Sequence, residues 1–374
     1  VPALSELTPV INARGTFTPL GVSRSSPAVA DAVAAALREH VIIAELEAAT
    51  EAALMRLSGA EAATVAHCTA AAITLAVAAT MTGLAAERIA ALPDTAGMKR
   101  QVVLPAGHAV DYGHSILQAV KLAGARVVLA GTELGCDEEA LSVALDGPEV
   151  ACLLLVSSRL ARGRPMALRA AVLAAHARDV PVVIDGAAQD FRLEELLATG
   201  ADLVLVSAQK YLAGPTAGLV FGRRELVRAV AAQQHGIGRA MKPTKEALAG
   251  VIAAAAERRS LVIDEWRAEQ ARRVEGFVAR VSEIKGLTVE TVPDEAGLPF
   301  ARAVVKLTGQ GAAADARWLA DQLRGGRPSI WVMDQQASHG SLGFELVPLR
   351  EDEITMIVQR LAELMAARMT SAPA

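Results

Sequence analysis

PVVID (Pro181–Asp185) and ADLVLVSAQKYLAGPTAGLVFG (Ala201–Gly222) each carry a short apolar run that ends beside an ionisable side chain. Runs of Val, Leu and Ile without polar alternation read as strands buried on both faces, as in a parallel sheet covered by helices. Lys210 stands just past the second run, with Gly214, Pro215 and Gly218 behind it. A loop so rich in glycine and proline packs no core. The lysine therefore falls at the carboxyl end of a strand, where open α/β sheets take their ligands.

The same rhythm extends outward. QVVL (Gln101–Leu104), ARVVLA (Ala125–Ala130) and ACLLLV (Ala151–Val156) read as further buried strands. Amphipathic segments at 110–123, 137–145, 168–177 and 193–198 lie between them, and GLVFG (Gly218–Gly222) adds one more strand. Strand–helix alternation predicts an α/β fold with a mostly parallel sheet. After Gly238 the pattern changes. Residues 243–284 are helical with a weak break around Ser260–Ile263; then come LTVETV, RAVVKL, a helix over 312–323, SIWVMD, FELVPL and a helix over 351–366. This predicts a large cofactor domain over 1–242 and a smaller α+β domain over 243–374, closed by a frayed SAPA tail.

With 374 residues the chain is long enough for about two domains. Lys plus Arg is 37 and Asp plus Glu is 41, so the net charge of −4 argues against a general nucleic-acid binder. Cys68, Cys136 and Cys152 form no C-x-x-C pair, no zinc spacing and no complete disulfide set, so no metal is expected and the setting is a reducing, cytoplasmic one. VPALSELTPVINARG has no basic start followed by an apolar stretch, so no signal peptide is expected. TAAAITLAVAATMTGLAA (Thr69–Ala86) reaches the lower length limit for a membrane span, but without a basic flank it reads as a buried helix.

Polar groups gather at the strand ends. Asp185 follows PVVI, Ser207 and Lys210 follow ADLVLV, Ser157 to Arg159 follow LLLV, and His108 follows VVLPAG. An aspartate and a lysine at successive strand ends fit pyridoxal 5'-phosphate. That cofactor needs an amine to join its aldehyde, a carboxylate beside its pyridine nitrogen and a phosphate cradle at a helix start. HCTAAA (His67–Ala72) offers the cradle through Cys68 and Thr69, with the Ser207 hydroxyl nearby. Taken singly these residues have plainer readings: Lys210 a solvated loop lysine, Asp185 a helix cap, Cys68 and Thr69 a helix start, His108 a loop histidine. RLARGRP (Arg159–Pro165) reads as a solvated basic loop or as a clamp for an anionic substrate. Arg14, Arg24, Arg327 and Arg350 are further carboxylate binders to consider. No G-x-G-x-x-G, G-K-[ST], H-E-x-x-H or G-x-S-x-G motif is present.

VPVVIDGAAQ, GADLVLVSAQKYLAGPTAGLVFGR and GIGRAMKPTKEALAG resemble the selenocysteine synthase-like branch of the fold-type I pyridoxal phosphate enzymes, nearest its D-glucosaminate-6-phosphate ammonia-lyase-like members. VINARGTFTPLG and GHAVDYGHSILQAVKLAGA fit the same group, and the likeness covers most of residues 10–250. The resemblance implies Lys210 as the lysine bound to the cofactor, Asp185 as the partner of the pyridine nitrogen and Ala187 packed against the ring. It implies Cys68, Thr69 and Ser207 at the phosphate and His108 on the ring's outer face. It implies Arg239 and Lys242 as a basic stretch reaching a phosphate or substrate across a subunit boundary in a homodimer or larger assembly. Two departures stand out: the family's S-G-x-K is S-A-Q-K here, with Ala208 in the glycine's place, and the phosphate loop holds His67 and Cys68 where Asn or Gly is usual. The chain starts directly at the VINARG segment, which counts against a tRNA substrate. The expected activity is α,β-elimination from an amino acid or amino sugar acid, giving ammonia and a keto acid. Racemisation, transamination and β-replacement share its first steps, and a non-catalytic scaffold is the outside alternative.

Overall fold

The computed structural model describes residues 6–164, 166–308 and 311–371. Pro165 of the basic loop and the last three residues of the SAPA tail lie outside them. The chain forms two compact units, Ser25–Ser260 and the residues before Ser25 together with those from Leu261 on.

The chain opens with strand β1 (Val10–Asn12). The Ser25–Ser260 unit follows with α1 (Pro27–Arg38), α2 (Ile43–Ser58), β2 (Ala62–Ala66), α3 (Thr69–Thr82), α4 (Ala86–Ala91), β3 (Gln101–Pro105), α5 (Ile116–Leu122), β4 (Arg126–Ala130), α6 (Glu138–Leu145), β5 (Val150–Val156), α7 (Leu168–His176), β6 (Val182–Asp185), α8 (Leu193–Leu197), β7 (Leu203–Ser207), β8 (Gly218–Gly222), α9 (Arg224–Ala232) and α10 (Lys245–Ser260). Its seven-stranded sheet has the order β2-β8-β7-β6-β5-β3-β4. β8 runs antiparallel to β2 and β7, and the pairs from β7 across to β4 are parallel. Side chains alternate between the two faces as a strand demands. Leu153, Leu155, Ile184 and Val206 enter a core with α2, α6, α7, α8 and α10, whereas Leu154, Val156, Val183 and Leu205 enter a second core with α3, α5 and α9. α3 is buried almost all round, which is why its sequence shows no polar face and reads like a membrane span.

Two expectations for this unit need correction, and one of its strands was not expected. β4 is an edge strand with exposed Arg126 and Leu129, because it pairs only with β3. The helix expected from Val110 starts only at Ile116, where Ser115 caps it by accepting from the Leu117 N–H at 3.3 Å. β2 follows the turn at Ser58–Gly59 but lacks the Val-, Leu- and Ile-rich run of its neighbours, and it is not expected as a strand from the sequence.

The second unit contains α11 (Ile263–Ser282), β9 (Leu287–Pro293), β10 (Ala301–Leu307), α12 (Ala312–Arg324), β11 (Ser329–Trp331), β12 (Ser341–Phe344) and α13 (Glu351–Ser371). β9 and β12 flank β10, both antiparallel to it, and Val305, Leu342 and Phe344 share a core with Phe277, Leu319 and Ile357 of α11, α12 and α13. FELVPL, expected as a strand, is one only at Phe344. Glu345 is fully buried and leaves the ladder to pair with Arg302 at 2.7 Å.

The expected division at Lys242 is not where the units part. α10 packs on α1 and α2 and so belongs to the first unit, and the weak helical break at 260–263 marks the division. β1 pairs in parallel with β11, the Glu345 N–H donates to the Ala13 carbonyl at 2.9 Å, and Arg14 pairs with Asp334 at 2.6 Å. These bonds place the N-terminal segment in the second unit. Gly15 allows the approach: its φ is +83°, and a Cβ there would lie 2.5 Å from the Glu345 carboxylate.

Candidate active site

The carboxyl edge of the seven-stranded sheet assembles the site. β6 ends at Asp185, which is 5% exposed and whose Oδ1 accepts the Ala187 N–H at 3.0 Å. The Ala187 carbonyl in turn accepts from the Ser207 N–H at 3.0 Å, so the turn after β6 is stitched to the end of β7. Lys210 follows in the next turn. Ala208 is fully buried with its N–H on the Ala217 carbonyl and its carbonyl taking the Gly214 N–H. Its φ is not positive, so alanine stands in the family's glycine position without strain.

Burial lowers the Lys210 pKa; Asp185 opposes that shift, Arg159 adds to it and Asp190 opposes it again. Burial likewise raises the Asp185 carboxyl, against the pull of Lys210 and the Ala187 N–H. Desolvation dominates this pair, so each group is held nearer its neutral form than it would be in water. Such paired shifts at one sheet edge make it a candidate functional site.

The neighbouring strands complete the edge. β2 leads into His67 and Cys68, and Cys68 caps α3 with Sγ accepting from the Ala71 N–H at 3.5 Å. Thr69 Oγ1 is buried without a hydrogen-bond partner among the described residues. Gly218 at the start of β8 makes room for this loop, since a Cβ there would lie 2.4 Å from the Cys68 carbonyl and 2.8 Å from the Thr69 nitrogen. The segment bearing Arg239 and Lys242, both exposed, is tied to the same loop by the His67 N–H on the Met241 carbonyl at 2.8 Å.

After β3, His108 is 2% exposed, and its Nδ1 accepts the Val156 N–H at 3.0 Å. A neutral ring then carries its proton on Nε2, a buried atom with no partner. Burial lowers the His108 pKa from 6.5 to about 4. The unfolded chain thus binds the extra proton between those values. This contribution to stability is whole above pH 6.5 and lost as the pH falls toward 4, by up to about 3 kcal/mol. Urea melts of cofactor-free protein should show that loss, and His108→Gln should flatten it; an unchanged slope in the variant would remove His108 as its source.

Other residues were not read from sequence. Tyr112 packs edge-on to His114 at 4.7 Å and buries an unpartnered hydroxyl. Burial, then Asp185 and Cys68, raise its pKa, which sets it beside both ends of the site. Asp190 and Arg258 form a buried pair at 2.7 Å behind Lys210. Tyr112 lies in the quoted GHAVDYGHS stretch and was within reach of the motif, whereas nothing near Arg258 in sequence signals a site. Arg14 and Arg327 belong to the other unit. There Arg14 is committed to Asp334 and the Val332 carbonyl and lies 4.3 Å from the Phe17 ring centroid, while Arg327 is exposed. Arg24 and Arg350 both pair with Glu353. Cys136 and Cys152 are buried thiols.

The family profile described as L-seryl-tRNA selenium transferase matches residues 184–268, the span from Asp185 through Lys210 to Arg258. A D-glucosaminate-6-phosphate ammonia lyase of Salmonella typhimurium (strain 14028s / SGSC 2262) is 33% identical over 362 residues, covering 96% of each chain. The chain belongs to the selenocysteine synthase-like branch of the fold-type I pyridoxal phosphate enzymes. A 5'-C-glycyluridine monooxygenase-decarboxylase of a Streptomyces species is 34% identical over 364 residues, 96% of this chain and 90% of that one. A solved D-glucosaminate-6-phosphate ammonia-lyase superposes with a TM-score of 0.86 at 32% identity, over 98% of this chain and 99% of that one. Serine palmitoyltransferase with its pyridoxal phosphate shares the fold at a TM-score of 0.62 and 17% identity, over 96% of this chain and 88% of that one.

The cofactor of this branch member is pyridoxal 5'-phosphate, and the residues present fit it. Thr69 Oγ1 and His108 Nε2 are buried polar atoms waiting for a partner, α3 presents its N-terminal N–H groups to an anion, and Asp185 is a buried carboxyl that a cation would satisfy. No helix among the described residues is long and apolar enough to cross a membrane.

Proposed function

We propose that the chain is a pyridoxal phosphate-dependent lyase that acts on an amino acid or amino sugar acid by α,β-elimination and releases ammonia and a keto acid. The observation that carries this reading is the Lys210–Asp185 pair at the carboxyl edge, in a chain 33% identical over nearly its full length to an ammonia lyase. When bound, pyridoxal phosphate supplies an electron sink for the pair left by the substrate's Cα proton.

The chain's own residues do the rest. Lys210, with its pKa lowered by burial, presents a free amine that takes the Cα proton. The same amine, now charged, returns a proton to the departing β-hydroxyl, which leaves as water. Asp185 holds a compensating negative charge where the ring nitrogen carries its proton. Thr69, Ser207 and the start of α3 hold the phosphate, and His108 stays neutral at working pH. Exposed Arg159, whose charge reaches Lys210, is the side chain we assign to the substrate's anionic group. Hydrolysis of the released enamine then gives keto acid and ammonia.

The comparable identity to a monooxygenase-decarboxylase supports a second reading, in which the same carbanion reacts with oxygen. One assay separates the two. Purified enzyme is offered a panel of β-hydroxy amino acids and phosphorylated amino sugar acids, and ammonia, keto acid and oxygen are followed together. Ammonia with keto acid and no oxygen uptake is expected; oxygen uptake with carbon dioxide release would replace the lyase by the oxygenase. The three free thiols fit a cytoplasmic setting. The exposed apolar run Val41–Ile42–Ile43 fits a homo-oligomer, which light scattering would contradict by returning a monomer mass.

A further inference from the structure

We propose that Arg258 is a positioning residue: from the last turn of α10 it clamps the turn after β6 to the Lys210 loop, and so holds the Lys210 amine in place beside Asp185. Its guanidinium donates from one nitrogen to Asp190 Oδ2 at 2.7 Å and from another to the Tyr211 carbonyl at 2.7 Å. Its Cζ also lies 3.9 Å from the centroid of the Phe191 ring. Asp190 and Phe191 belong to the turn that begins at Asp185, and Tyr211 is the residue after Lys210. One side chain therefore grips both loops that carry the site's central pair.

The form of the grip argues for positioning over simple pairing. The pair is buried, with side chains 14% and 4% exposed, so its desolvation cost is high. Arginine–carboxylate pairs are frequently bidentate, with two parallel bonds. Here the fork is split between a carboxylate and a carbonyl on different loops, and Asp190 Oδ1 is left buried without a hydrogen-bond partner among the described residues. The arrangement gives up part of the ion pair and gains a bridge.

The charges that act on Lys210 come from two segments outside its own turn: Asp185 and Asp190 after β6, and Arg159 after β5. With burial the largest influence on the amine, a clamp that fixes the loop also fixes how far the amine is withdrawn from water.

The test uses cofactor-free protein as Arg258→Gln and Arg258→Lys, each checked by circular dichroism at the working temperature. Lys210 is labelled with acetic anhydride across a pH series and mapped by mass, with exposed Lys99 as internal standard. In the parent protein burial is expected to hold the Lys210 midpoint below the ordinary lysine range. In Arg258→Gln it should move up by about one pH unit, a tenfold change in amine fraction at fixed pH. Affinity for pyridoxal phosphate, read from the visible band, should fall about tenfold. Arg258→Lys reaches one partner but not both and should fall between; if Arg258→Gln does not fold, this variant decides. Parent-like midpoint and affinity in the folded variants, even with a lower melting temperature, would make Arg258 merely structural and overturn the proposal. The inference rests on the role given to Lys210. Borohydride capture of the cofactor on another lysine of the parent protein would sink that role, while the midpoint comparison would still judge the clamp.

Discussion

Replacing Lys210 with alanine should lower turnover by about 10⁴-fold or more while leaving the fold intact. Two functions leave together: the amine that joins the cofactor, and the base that moves the substrate's Cα proton, itself worth about 10²–10⁴-fold. Lys210 sits in a largely buried turn whose backbone is held by the Ala213 N–H on the Lys210 carbonyl at 3.1 Å, so truncating the side chain leaves that turn closed. Lys210→Arg should not rescue, because a guanidinium keeps its proton at working pH. The check is steady-state turnover together with borohydride reduction and peptide mapping. The parent protein should carry the reduced cofactor on Lys210 and the variant should carry none. Activity above about one-tenth of the parent's in Lys210→Ala would end the assignment.

Asp185→Asn should cost about 10²–10³-fold in kcat, the range for removing one preorganised electrostatic partner. The swap keeps shape, and the Ala187 N–H keeps an oxygen to bond, so the stitch between the turn after β6 and the end of β7 survives. What is lost is the negative charge. Because Asp185 is what holds the Lys210 pKa up against burial, its loss should lower that pKa further. Capture of the cofactor by Lys210 should then extend to lower pH in the variant even as catalysis collapses. Spectral titration in parallel with kinetics reads both. A loss under threefold, or a shift of the capture profile to higher pH, would contradict the role given to this carboxylate.

The pair behind both predictions was legible in the amino-acid sequence for a local reason. Asp185 and Lys210 each follow an apolar run buried on both faces, and such runs announce both a strand and its carboxyl end. His108 follows another strand, so its placement at the same edge comes from the alternation of β3, β5, β6 and β7 with helices, whereas Cys68 and Thr69 open an apolar helix and reach that edge through β2. β8 was readable for the same reason. β2 was not: AATVA has the composition of the helices around it, and only pairing with β8 makes it a strand.

Composition and periodicity thus determined the α/β class and the parallel sheet, and put Asp185 and Lys210 forward as candidates, since each is written within one strand and the turn after it. Tertiary structure alone decided what depends on distant segments meeting. Pairing of β1 with β11 carries the N-terminal segment into the second unit, and packing of α10 on α1 and α2 moves the division from Lys242 to Ser260. The same packing brings Arg258 to Asp190 and Tyr211, a contact with no periodic signature because its partners lie 68 and 47 positions away. Local patterns report which face a residue buries; they carry no record of which far segment covers it.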